Sequence, residues 1–132
     1  MARKIVTYRG KTLEELKKMS IKEFGDMLPA RQRRTLQRGF TDYQKRLLER
    51  IKKVKEGKSK KAIKTHCRSM MILPDMVGMN LLVHDGRGFV ALAILEEMLG
   101  HYLGEFVLTR KKVSHSSPGI GATRSSASIS VK

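Results

Sequence analysis

Apolar residues recur every three or four positions through the first half of the chain, which is the spacing of amphipathic helices. Three Ser/Thr residues are each followed three positions later by Glu or Gln, the capping-box pattern that satisfies free N–H groups at a helix start. These pairs are Thr12 with Glu15, Ser20 with Glu23, and Thr41 with Gln44. A further helix is predicted at Ala30–Arg38, between Pro29 and Gly39. We therefore predict four short helices before residue 57.

The spacing of apolar residues changes in the second half of the chain. Residues 70–73 and 80–84 are predicted to be extended, and Asp85-Gly86 indicates a hairpin because both residues tolerate positive φ. Residues 89–94 would form the returning strand, and a short helix at 96–99 would end at Gly100. The predicted fold class is α+β.

Composition divides the chain into three predicted parts. Residues 1–61 form a basic helical N-terminal extension that ends in the charged linker 57–61, and residues 62–113 form a small β-sheet core with a short helix. Residues 114–132 include seven serines and few bulky apolar residues, so a flexible, extended C-terminal tail is expected there.

The charge is concentrated in the first half. The chain has 28 Lys and Arg against 12 Asp and Glu, a net charge of +16, and residues 1–66 alone carry +14. Between Arg31 and Lys64, 14 basic residues accompany only three acidic ones. Positive charges at this density repel one another unless a polyanion lies beside them. Nucleic acid is therefore the favoured partner, and an anionic membrane surface is the second.

Candidate catalytic chemistry is weak. His66 and Cys67 are adjacent, and neighbouring side chains of a strand point to opposite faces, which is unsuitable for a thiolate–imidazole pair. Residues 119–121 lack the remainder of a phosphate loop, and Glu96-Glu97 is better explained as a solvated turn. One cysteine and four scattered histidines do not make a zinc site. We expect no enzyme activity, cofactor, metal, signal peptide or membrane span.

Several motifs in the second half carry a resemblance to a known family. These motifs are Ile63-Lys64-Thr65-His66, residues 72–78, 83–87 and 97–106, and Thr109-Arg110, and further ones outside this half are Tyr8-Arg9-Gly10, residues 30–34 and residues 118–123. In the motifs of the second half, over about 50 residues in the right order, the chain resembles the universal small-subunit ribosomal protein nineteen family, called S-fifteen in eukaryotes. The motifs in the N-terminal part and the tail resemble those of the family's archaeal and eukaryotic branch.

The resemblance implies a structural protein that binds small-subunit rRNA in the head of the subunit and supports assembly. It implies neighbouring head proteins, including ribosomal protein S-thirteen, as partners, and a tail directed toward the decoding region, near tRNA and mRNA. The expected location is the cytoplasm, bound to ribosomes.

The candidate rRNA-binding residues follow from charge and chemistry. Arginine forks grip phosphate or stack on bases, and residues two apart on a strand, such as Lys64, His66 and Arg68, would share one face. His101 and Tyr102 offer a donor and a stacking surface, and residues 110–112 would clamp the base of the tail. The full set is Arg31, Arg33, Arg34, Arg38, Lys64, His66, Arg68, Arg87, His101, Tyr102, Arg110, Lys111, Lys112 and Arg124.

Two other functions remain open from the residues alone. A DNA-binding regulator could use residues 31–38 or 41–54 as a recognition helix, and would then need dimerisation and a duplex site. A basic enzyme acting on RNA would need an acid–base pair or a metal cluster, neither of which the sequence supplies.

Overall fold

The computed structural model describes residues 6–59, 61–113, 123–125 and 128. Within them the α+β class is confirmed as four helices followed by a three-stranded sheet. The helices are α1 Leu13–Lys18, α2 Ile21–Met27, α3 Ala30–Arg38 and α4 Asp42–Lys55. The strands are β1 Ile63–Thr65, β2 Asn80–His84 and β3 Phe89–Ala93, and short 3-10 turns cover Pro74–Met76, Glu96–Met98 and Leu103–Glu105.

Local capping explains where the helices begin and end. Glu15 and Glu23 accept the backbone N–H groups of Thr12 and Ser20, each at 2.9 Å, and Gln44 accepts that of Thr41 at 3.0 Å. These bonds confirm the three predicted helix starts. After α4, the N–H of Gly57 donates to Val54 and that of Lys58 to Lys53, with Gly57 at φ +72°. This is the Schellman arrangement, which satisfies the last carbonyls of the helix.

The sheet has the order β1–β2–β3, with β1 parallel and β3 antiparallel to β2. The expected extended segment at 70–73 lies outside the three named strands, but its backbone is paired: Met71 bridges Tyr102, and the N–H groups of Ile72 and Leu103 donate to His101 and Met70. Residues 70–73 are all buried, so their apolar run reflects a place in the core rather than a place in the sheet.

The hairpin between β2 and β3 is confirmed, but its turn differs from the expectation. The loop has four residues, 85–88, and of these only Gly86 has a positive φ, +104°. The Asp85 carboxylate accepts the N–H groups of Arg87 at 2.8 Å and Gly88 at 2.7 Å. These bonds lower the pKa of Asp85 because they favour the ionised carboxylate, and the bond from Gly88 has the largest effect. Side-chain bonding, rather than positive φ at Asp85, therefore shapes the loop.

One hydrophobic core joins the helices to the sheet. Leu16, Phe24 and Ile51 from the helices are buried in the same cluster as Leu81 and Val83 of β2. This cluster lies on both sides of residue 61, where composition predicts a boundary. Packing of α4 against β1 and of α1 against Pro74–Met76 fixes the basic helices relative to the sheet.

Candidate nucleic-acid interface

Helix α3 presents arginines in two different states. Arg31, Arg34 and Arg38 are exposed, and their side chains make no hydrogen bond or ion pair among the described residues. Arg33 is different, because its Nη2 donates to the carbonyl oxygens of Asp26 and Leu28, each at 3.2 Å. Those carbonyls lie at the end of α2, so Arg33 caps that helix. The other three guanidinium groups are free to bind phosphate.

Helix α4 turns its apolar side to the core and its basic side to solvent. Leu47 and Ile51 are buried. Two of its lysines form exposed ion pairs, Lys45 with Asp42 at 3.6 Å and Lys55 with Asp75 at 3.2 Å, and such pairs hold their partners weakly. In the part of the chain that the structure describes, four further cations of α4 have no acidic partner. They are Arg46, Arg50, Lys52 and Lys53.

A basic cleft lies between the last turns of α4 and strand β1. It has a volume of about 290 Å³, and four of its lining side chains are cationic. Those four are Arg50, Lys53, Lys61 and Lys64. Here α4 and β1 bring cations from distant sequence positions together, and Lys64, a predicted site residue, is one of them.

A second basic cleft lies where the hairpin loop meets the start of the tail. It measures about 480 Å³ and places Arg87 beside Arg110, Lys111 and Lys112, with Asp85 as its acidic member. The carboxylate of Asp85 already accepts two backbone N–H groups. The structure thus brings the predicted clamp at 110–112 and Arg87 together in one basic cleft.

The structure gives His101 and Tyr102 internal partners. His101 Nδ1 lies 2.6 Å from the carboxylate of Glu105 and remains exposed. The Tyr102 hydroxyl lies 3.1 Å from Thr35 Oγ1, and that hydroxyl in turn donates to the Arg31 carbonyl at 3.0 Å. Because the single hydroxyl proton of Thr35 is used there, Tyr102 is the donor to Thr35. Tyr102 therefore links α3 to the core.

The expected alternating face of Lys64, His66 and Arg68 requires a correction. Strand β1 ends at Thr65, and the Arg68 N–H donates to His66 in a tight turn. The Arg68 guanidinium is partly buried and donates to the carbonyls of His84 at 2.8 Å and Gly104 at 2.9 Å, and also to that of Val107. Arg68 thus fastens the end of β2 to the 103–107 turn and does not share the outward face of Lys64.

Sequence reasoning missed an aromatic cluster on the outward face of the sheet. The His66 and His84 rings lie 4.3 Å apart, and the Phe89 ring lies 5.2 Å and 5.0 Å from them respectively. The Lys64 ammonium lies 5.5 Å from the centre of the Phe89 ring. The predicted hairpin could have indicated part of this cluster. His84 and Phe89 are opposite each other across the hairpin, and cross-strand partners share one face of the sheet.

The last predicted site residue, Arg124, is exposed. The rest of the predicted tail, other than residues 123, 125 and 128, lies outside the described residues. Among those that are described, no group of three or more His, Cys, Asp or Glu side chains could hold a metal ion. No helix in the same part of the chain is long and apolar enough to cross a membrane.

Comparison with known proteins adds independent evidence. A family model described as Ribosomal protein S19 matches residues 34–115. The chain is also similar to the small ribosomal subunit protein uS19 of Saccharolobus solfataricus. The two are 51% identical over 126 residues, which cover 95% of this chain and 90% of that protein.

Proposed function

The chain belongs to the ribosomal protein S19 family, and from this membership we propose that it binds small-subunit rRNA through the exposed cations of α3, α4 and the two basic clefts. The membership confirms the resemblance carried by the sequence motifs. It makes the protein a structural constituent of the small ribosomal subunit rather than an enzyme.

The observation that carries the proposal of rRNA binding is the small number of ion pairs on the basic surface. Among the described cations of α3 and α4, only Lys45 and Lys55 have an acidic partner. Each cation placed on phosphate releases condensed counterions, so the affinity should fall steeply as salt rises. An isolated chain gains no such relief from its self-repulsion.

The residues divide by role within this proposal. Arg31, Arg34 and Arg38 are suited to bidentate phosphate contacts, because a guanidinium presents two parallel donors. The cleft at Arg87 and residues 110–112 would hold phosphate at the point where the tail begins. Arg33, Arg68 and Tyr102 would act indirectly, since their polar groups position α2, the end of β2 and α3.

Family membership also supports the finer parts of the proposal. The protein would lie in the head of the subunit, beside other head proteins that include ribosomal protein S-thirteen, and would support assembly there. The tail would extend toward the decoding region, close to tRNA and mRNA. Bound to ribosomes, the protein would be cytoplasmic.

Binding of the full chain to small-subunit rRNA tests the proposal. We expect a transcript of the head region to bind with an affinity whose logarithm falls linearly with the logarithm of salt concentration. Footprinting of the rRNA with and without the protein would locate the contacts. Equal affinity for a double-stranded DNA competitor, or binding that does not respond to salt, would contradict the proposal.

A further inference from the structure

The aromatic cluster on the sheet suggests a specific kind of RNA contact. We propose that His66, His84 and Phe89, with Lys64 beside them, form a stacking platform for an unpaired base of the bound RNA. The inference rests on the proposed rRNA binding. It adds a mode of contact, base stacking, that charge alone does not supply, and it assigns His84 and Phe89 to the interface.

The geometry of the three rings leaves a free surface for stacking. His66 and His84 overlap with an interplanar angle of 32°, and His66 is the outer ring because it is exposed while His84 is half-buried. Phe89 stands nearly perpendicular to both, at 79° and 74°, and is 39% exposed. A base on the outer face of His66 would extend the histidine stack, with Phe89 as a side wall.

The platform is held in place before any ligand arrives. Nδ1 of His84 accepts the Gly86 N–H at 3.0 Å, which fixes the orientation of the ring. The Arg68 guanidinium holds the His84 carbonyl, and His84 and Phe89 are the closing pair of the hairpin. Rings that are already ordered lose little entropy on binding, so stacking on them contributes more affinity.

The charges around the platform favour RNA over an apolar protein surface. Lys64 lies beside the Phe89 ring and also lines the α4–β1 cleft with Arg50, Lys53 and Lys61. A strand whose base stacks on His66 would therefore have cations close by for its phosphates. The nearest carboxylate in sequence, Asp85, is engaged by the hairpin loop. Aromatic faces beside a cationic groove are the usual composition of single-strand binding sites.

Four single variants of the full chain test the platform. His66→Ala and Phe89→Ala should each weaken binding to the head-region rRNA transcript by about 10-fold, the effect of losing one stacking surface. His66→Phe keeps a flat ring and should bind within a small factor of the unaltered chain. Val90→Ala is the matched control, because Val90 is 40% exposed, adjacent to Phe89 and on the opposite side of the strand.

The salt dependence separates stacking from charge. Stacking releases no counterions. The slope of the logarithm of affinity against the logarithm of salt concentration should therefore be unchanged in His66→Ala and Phe89→Ala. The midpoint of thermal unfolding should fall by only a few degrees, since each variant removes ring contacts at the sheet surface and leaves the core intact. Rescue by His66→Phe distinguishes loss of the ring from loss of the fold.

Direct observation of the rings completes the test. A single-stranded oligoribonucleotide of about eight residues should shift the ring proton signals of His66, His84 and Phe89 in NMR spectra. The same sequence in a duplex should leave them in place. If the unaltered chain binds rRNA and the variants bind equally well, the platform is overturned and the proposed function stands. If the unaltered chain does not bind rRNA, both are overturned.

Discussion

Two glycines with left-handed backbone conformations differ in what surrounds them. Gly57 has φ +72° and no atom within 4 Å of an added Cβ. Gly100 has φ +78°, and a Cβ there would meet Leu28 Cδ2 at 2.6 Å and the Tyr8 hydroxyl at 3.2 Å. Leu28 is fully buried, so the clash has little room to relax.

We expect Gly100→Ala to destabilise the fold by about 2–5 kcal/mol, the sum of the backbone strain and the overpacking. Gly57→Ala should cost only the backbone part, about 1–2 kcal/mol. Urea unfolding of both variants measures the difference. Equal losses at the two positions would show that the close approach to Leu28 has no energetic weight.

Asp85 makes the stability of the hairpin depend on pH. Its pKa is lowered from the ordinary value of 3.8, first by the N–H of Gly88 and then by that of Arg87. A carboxylate whose pKa is lower in the folded state stabilises that state at pH values above the pKa of the unfolded chain. This contribution disappears as the pH falls through the pKa of the folded state. The advantage of the unaltered chain over Asp85→Asn should therefore be present at neutral pH and shrink below pH 3.8.

Unfolding free energies of the two proteins across the acid range test this expectation. Glu23→Gln provides a second case, because bonds from the backbone and side chain of Ser20 lower the pKa of Glu23 in the same way. A difference between Asp85→Asn and the unaltered chain that stays constant down to strongly acidic pH would contradict the argument.

Among the elements, helix α3 carries both the arginines that we propose as RNA contacts and Arg33, which supports α2. The triple variant Arg31→Ala, Arg34→Ala and Arg38→Ala should weaken rRNA binding and reduce its salt slope by about 1 for each phosphate that is no longer neutralised. Its unfolding free energy should be nearly unchanged, since these side chains make no internal bonds in the described part of the chain.

Arg33→Ala is the matched control on the same helix. It should reduce stability by about 1 kcal/mol through loss of its bonds to α2, with a smaller effect on the salt slope. Filter binding over a salt series, paired with thermal unfolding, gives both readouts. An unchanged slope in the triple variant would remove α3 from the interface.

The elements that could be predicted from the sequence are those with local signals. The starts of α1, α2 and α4 follow from capping pairs three residues apart, and the hairpin follows from Asp85-Gly86. The internal role of Arg68 could not be predicted, because its guanidinium bonds to carbonyls 16 to 39 positions away. That residues 70–73 lie outside the three-stranded sheet could not be predicted either, because burial in the core gives an apolar run whether or not a segment joins the sheet.

At the scale of the whole molecule, we expect the core to fold without the tail. The buried cluster runs from Leu16 to Val107 and, among the described residues, includes none beyond 113. We expect deletion of residues 114–132 to leave the fold and entry into small subunits intact, while contacts linked to decoding are disturbed. Sedimentation of the truncated chain with subunits measures the first part, and translational accuracy measures the second. Failure to enter subunits would assign the tail a role in assembly.

Much of the candidate site could not be predicted from the sequence, because it depends on contacts between distant segments. Charge counts predict a basic half and Arg31–Arg38 as contacts, but the two clefts and the ring cluster depend on distant segments meeting. Lys64 reaches Arg50 only because α4 packs against β1, and His66 reaches Phe89 only through the register of the sheet.

The shared core also has a consequence for synthesis of the chain. Leu16, Phe24, Leu47 and Ile51 are synthesised before β2, whose Leu81 belongs to the same buried cluster. At about 5–20 residues per second, the nascent helices wait for several seconds with their apolar sides uncovered. We therefore expect newly made chains to be most prone to aggregation before β2 has joined the core.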